Sequence, residues 1–166
     1  MRIAKRFMGY IIDYKYNICI FEVEMIRMYK YSSEGYSLIM VDGRDADIPR
    51  FRKRRDVHAL CLLNEADGLA IVCKSAEADY ALELYDAAGA QCEAPDGPLA
   101  VAAERCSVAY ADLLGVKAFH SVSYRFVAPG GAPMDAEILS HLGECKIVRL
   151  GGASDAPTLC EGDMID

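Results

Sequence analysis

The sequence predicts an α+β fold in which a curved, mixed β-sheet wraps around a central helix at about residues 98–114. Three observations predict it. The chain has 166 residues, 53% of them hydrophobic, which is enough apolar material for one domain with a packed core and excludes wholesale disorder. The stretch Pro98–Leu114 is Ala-rich and apolar on almost every side, so protein must surround it. Several short apolar or alternating segments separated by Gly, Asp and Pro read as strands, and a sheet curled around the helix is the simplest way to bury it.

In chain order, Tyr36–Asp42 (YSLIMVD) is an apolar run ending in Asp-Gly, a buried strand and its turn. Pro49 stands near the start of a helical stretch, where its missing N–H costs little, and the stretch runs from Arg50 to about Leu63. Its Arg50, Arg52, Lys53, Arg54 and Arg55 suggest phosphate contact at first sight, but in acidic surroundings they read as a solvated helix face. Leu69 to Cys73 is a second strand after the turn Ala66-Asp67-Gly68, and Ala78 to Tyr85 alternates as a half-buried strand does. Gln91 to Gly97 is a loop, after which Asp96 and Pro98 suit the first turn of the central helix and Gly115 closes it. Phe119 to Val127 alternates again. A Pro-Gly-Gly turn comes next, then a short helix near Asp135 to Leu142, a final strand over Cys145–Leu150, and a polar, frayed tail over residues 151–166.

Charge narrows the partners. The net charge of −7 and pI near 5.0 disfavour a nucleic-acid binder. The first 31 residues are set apart: they carry Arg2, Lys5, Arg6, Lys15, Arg27 and Lys30 against Asp13, Glu22 and Glu24. Asp13 and Lys15 interrupt the apolar run there, no small-residue cleavage site follows, and Glu22 and Glu24 break any bilayer span. Residues 1–27 therefore read as an extension, either an added strand or helix or upstream sequence translated ahead of a true start at Met28, and residues 28–150 as the domain.

The seven cysteines (Cys19, Cys61, Cys73, Cys92, Cys106, Cys145 and Cys160) include no Cys-x-x-Cys pair, and His58, His120 and His141 are far apart. Nothing anchors a zinc site, and without a secretory signal the thiols are expected to be reduced, in the cytoplasm, and mostly buried as small hydrophobes.

The order of short motifs over about residues 30–115 resembles the N-terminal half of diaminopimelate epimerases. That family opens with Lys-x-His-Gly-x-Gly-Asn-Asp-Phe, hydrophobic residues and Asp; here Lys30 to Leu38, then Ile39-Met40-Val41-Asp42, is similar. Its Gly-Ala-Asp-Gly-Leu and the strand after it resemble Glu65-Ala66-Asp67-Gly68-Leu69 and Ala70-Ile71-Val72. Its Ala-Asp-Phe and Phe-Asn-Ala-Asp-Gly-Ser resemble Ala78-Asp79-Tyr80 and Tyr85-Asp86-Ala87-Ala88-Gly89-Ala90. The resemblance implies an amino-acid racemase or epimerase fold of lysine biosynthesis. It also implies two similar halves with the site between them and no cofactor, pyridoxal phosphate included. Its substrate contacts would fall on Gly35, Tyr36, Asp86, Asp96 and Gly97.

The departures matter more than the matches. In the family, one cysteine from each half flanks the substrate's α-carbon, one removing the proton and the other returning it on the opposite face. The first lies in Cys-Gly-Asn-Gly at the N-terminus of the central helix, where the helix dipole and free N–H groups favour a thiolate and a bound carboxylate. Here that position falls on Pro95, followed by Asp96-Gly97-Pro98. Proline cannot move a proton, Pro98 removes one N–H, and Asp96 repels a carboxylate. The substrate-contacting asparagines fall on Tyr36 and Asp86. Cys92, three residues before Pro95, is the candidate substitute. Two functions are in play: an epimerase-like isomerase, inactive or incomplete as this single chain, whose cleft needs a homodimer or a missing C-terminal half; and a non-catalytic pseudoenzyme half that binds a small amino acid or a protein partner. Neither involves a metal, nucleic acid or a membrane.

Overall fold

The structure is a computed structural model that describes residues 4–12, 18–26, 28–45, 49–93, 97–118, 121–151 and 155–165; for the first two segments and residues 49–50 the backbone alone is described. The predicted central helix is α2 (Pro98–Leu114), with Pro98 in its first turn and Gly115 left-handed at φ 72° beyond its end. Around it, eight strands form a closed barrel. They are β3 (Met28–Ser33), β4 (Tyr36–Asp42), β5 (Gly68–Cys73), β6 (Tyr80–Asp86), β7 (Ser123–Val127), β8 (Pro133–Leu142), β9 (Cys145–Leu150) and β10 (Thr158–Met164). The order around the barrel is β10-β3-β4-β5-β6-β7-β8-β9. The pairs β4/β5 and β6/β7 are parallel and the rest antiparallel, so the sheet is mixed as predicted, and it closes into a barrel. Closure removes both sheet edges. α2 touches β3, β4, β5, β6, β8, β9 and β10, and eleven of its residues are buried.

The strands explain their own patterns. On β4, Leu38 and Met40 face α2, while Ile39 and Val41 face outward under α1 (Arg54–Leu63). β5 repeats this with Ala70 and Val72 inside and Leu69 and Ile71 outside. Strands covered on both faces are continuously apolar, hence YSLIMVD and LAIVC. The helical stretch predicted from Arg50 splits into a 3-10 turn, Pro49–Arg52, and α1. Arg52, Lys53, Arg54 and Arg55 are exposed, and Arg52 holds Glu83 through two bonds of 3.1 and 2.7 Å.

Two expectations are corrected. The short helix near Asp135 to Leu142 is β8: Ala136 and Ile138 point inward, and the strand pairs with both β7 and β9. Its residues are acceptable helix formers, but the barrel needs a strand there and tertiary pairing wins. The tail is not frayed beyond Pro157, because β10 lies between β9 and β3 and buries Thr158 and Cys160. β1 (Ala4–Ile12) and β2 (Ile18–Ile26) form a separate antiparallel two-stranded sheet ahead of the barrel. Among the described residues, no helix is long and apolar enough to cross a membrane.

Candidate functional site

One end of the barrel is the N-terminal end of α2. The β3–β4 turn lies at this end, with Glu34 and Gly35 both left-handed at φ 50° and 84°, a tight reversal that suits Gly35. Beside it Asp67 Oδ2 accepts the Ser37 N–H at 2.8 Å, and the Asp67 N–H donates to the Ser37 carbonyl at 2.8 Å. Gly68 pairs with Leu38 on one side and Asp86 on the other, and a Cβ added there would meet the Tyr85 carbonyl at 2.7 Å and Leu99 of α2 at 3.8 Å. Tyr36, Cys92 and Leu99 all pack against the inner core. The structure therefore brings Gly35, Tyr36, Asp86, Cys92 and Gly97 to one end of the molecule. Pro95 and Asp96 lie outside the described residues.

The chemistry available there is limited. Asp86 Oδ1 accepts the Ala88 N–H at 3.0 Å and the Ala90 N–H at 2.9 Å, so this oxygen shapes the turn. Gly89, at φ 89°, closes the turn against α1, where a Cβ would stand 2.1 Å from the Arg54 carbonyl oxygen. Cys92 donates its backbone N–H to Leu84 and borders a cavity of about 250 Å³ with Glu83, Glu93 and Val127. Burial, with the Asp86 charge adding to it, pushes its thiol above the ordinary value. That is the opposite of an activated thiolate. Gly97 holds the cap position of α2 at φ 93° and, among the described residues, no side chain caps this end. Pro98 brings no N–H donor to the first turn of α2.

The opposite end holds a polar cluster that the sequence reading missed. Asp112, in the last turn of α2 and almost fully buried, accepts a short bond from Tyr124 Oη. His141 Nδ1 lies 3.0 Å and Lys146 Nζ 3.2 Å from its other oxygen. Burial works to raise the Asp112 pKa, but the Tyr124 and Lys146 bonds and the charges of Lys146 and His141 outweigh it and hold the carboxyl below its usual value. The signal was present: Asp112 stands in the apolar stretch Val108–Leu114 of a buried helix, where an acid needs buried partners. Next to the cluster, Asp79, Lys117, Tyr124, Arg125, Asp135 and Glu137 line a cavity of about 470 Å³. Its charges are already matched, Lys117 to Asp79, Arg125 to Asp135 and Glu137 to Arg149. Among the described residues, no group of three or more His, Cys, Asp or Glu could hold a metal ion.

The architecture is a closed mixed barrel threaded by a buried helix. No protein-family model matches the chain, and no curated protein matches it by sequence. Among solved structures it is similar to a phenazine biosynthesis protein of the PhzF family from Bacillus anthracis, at a TM-score of 0.55 and 11% identity over 75% of this chain. It is also similar to a hydroxyproline epimerase from Agrobacterium vitis, at a TM-score of 0.50 and 15% identity over 75% of this chain. The match spans 40% of the length of each of those proteins. The fold is thus shared with that PhzF-family protein and that hydroxyproline epimerase.

Proposed function

We propose that this chain is a diaminopimelate epimerase-like unit, related by resemblance to lysine biosynthesis, that binds a small amino-acid-like ligand at the α2 N-terminal end and does not racemise it alone. The reading is of a cytoplasmic protein whose residues 28–150 make up most of the domain, with β10 completing the barrel. Its cleft is completed by a second copy or by a further unit of the same fold. One observation carries it: the sequence position that the resemblance gives to the activated cysteine holds Pro95, and Cys92, three residues earlier, has a thiol pushed up rather than down. Two-base epimerisation requires an acid and a base on opposite faces of the α-carbon, and a single suppressed thiol supplies neither reliably.

The test is exchange of the α-proton of diaminopimelate in deuterated water, followed by NMR. The purified chain is expected to leave the proton in place while ligand-observed NMR detects binding. Exchange that disappears in Cys92→Ala would overturn the reading of Cys92 and Pro95, and absence of binding would remove the ligand.

A further inference from the structure

The proposed function leaves unused the outward face of α1, the helix that lies over β4 and β5 on the outside of the barrel. Val57, Leu60 and Cys61 are its buried side. Arg54, His58 and Leu62 form one exposed row at i, i+4 spacing, and Arg55, Ala59 and Leu63 form the next, so all six share one outward face. The face is graded along its length. Its N-terminal end is cationic: Lys53 holds the N-cap position, and Arg54 and Arg55 follow in the first turn. Its C-terminal end is apolar: Leu62 and Leu63 are 71% and 75% exposed, the highest values for large apolar side chains among the described residues. Arg55 and Leu62 stand about 10 Å apart along the helix axis.

Neither end is matched within the described molecule. Arg52, just before Lys53, is held by Glu83 at 2.7 Å, but among the described residues no carboxylate pairs with Lys53, Arg54 or Arg55. The helix dipole makes this the wrong end for cations, and among the described residues no side chain caps it, so the three charges carry a local cost that the fold does not offset. We propose that this face is a docking surface for an amphipathic helix of a partner protein, apolar at the end that meets Leu62 and Leu63 and acidic at the end that meets Lys53, Arg54 and Arg55. The small Ala59 between the two ends lets a second helix approach closely. The net charge of −7 selects this occupant. It repels an extended polyanion or a uniformly anionic lipid surface, whereas a short acidic segment meets the positive patch within a Debye length of about 8 Å.

The inference rests on α1 alone and is independent of the proposed ligand. The probe is a synthetic helical peptide of about four turns, with leucines on one face of one half and glutamates on the same face of the other. A peptide of the same composition in scrambled order is the control. Each is titrated into the isotope-labelled full-length chain at about 0.15 M salt and followed by NMR. The graded peptide is expected to shift the backbone amide resonances of Lys53 and α1 and to bind at least about tenfold more tightly than the control. Arg54→Glu with Arg55→Glu is expected to weaken binding at least about tenfold while keeping the fold, because acids suit a helix N-terminus. Leu62→Gln with Leu63→Gln is expected to weaken it by a similar factor with unchanged far-ultraviolet circular dichroism, since both side chains already stand in water. No binding, equal binding of the scrambled peptide, shifts centred outside α1, or undiminished binding by either variant would overturn the proposal. So would tighter binding to phosphatidylserine vesicles or to a single-stranded oligonucleotide.

Discussion

Asp112 shows how much one residue can demand of a fold. A carboxylate in the last turn of a helix sits where the dipole disfavours it, and burial adds a further cost. Lys146, from β9, supplies the compensating charge across the barrel interior at 3.2 Å. Lys146→Met removes that charge and leaves the carboxylate buried beside a neutral side chain, so the variant is expected to lose about 3–5 kcal/mol of stability in urea unfolding. The pH dependence comes from the direction of the shift. The folded-state pKa of Asp112 is depressed, so its contribution is present above the ordinary carboxyl value and is lost as pH falls through the folded one. Asp112→Asn should therefore flatten the acid limb of stability against pH below about 4; an unchanged acid limb would show that the cluster is not the titrating group. Gly89 makes a second demand. At φ 89° and with the Arg54 carbonyl 2.1 Å from any added Cβ, Gly89→Ala should cost at least about 2 kcal/mol, measured the same way.

At the scale of elements, legibility tracked the number of covered faces. β4, β5 and α2 are sandwiched between protein layers, so their sequences are continuously apolar and were readable without any neighbour. β8 and β10 are covered on the inner face alone. Their residues alternate with Glu137, Ser140, Glu161 and Asp163, and only pairing with β7, β9 and β3 makes strands of them. No local pattern encodes that pairing, and a bulge between Ile138 and Ser140 interrupts the alternation further. The candidate site divides in the same way. The turn carrying Asp67 was legible from its turn chemistry and those carrying Gly35 and Asp86 from the family resemblance, whereas the cluster on Asp112 joins α2, β7, β8 and β9 and exists only in three dimensions. The all-round burial of α2 gives the element its own test. Ala103 is fully enclosed, and Ala103→Leu is expected to cost about 1–3 kcal/mol by overpacking, with a lowered Tm. A neutral outcome would mean that the barrel is not closed tightly around the helix.

For the whole molecule, the two sides of the barrel are unequal. α1 and the 3-10 turn cover β4 and β5, whereas the wall made by β8, β9 and β10 bears exposed apolar residues instead. Leu159 on β10 stands opposite Ile147 on β9, which stands opposite Ser140 on β8, next to the bulged Leu139. Leu159 and Leu139 are 45% and 47% exposed, and Leu142 at the end of β8 is 64% exposed, which makes a run of apolar side chains across three strands. Such a row is more costly in water than scattered single residues, and a second copy offers the same row in return. The net charge of −7 opposes close approach at low salt. Self-association is therefore expected to strengthen as salt screens that repulsion. Sedimentation velocity at rising protein concentration, at about 0.15 M and 0.5 M salt, should show a shift from monomer toward dimer that is larger in high salt. The double variant Leu139→Glu, Leu159→Glu should remain monomeric throughout while keeping the wild-type far-ultraviolet circular dichroism. A wild-type profile that stays strictly monomeric at the highest concentration in both salts would overturn this apolar row as an interface between copies of the chain.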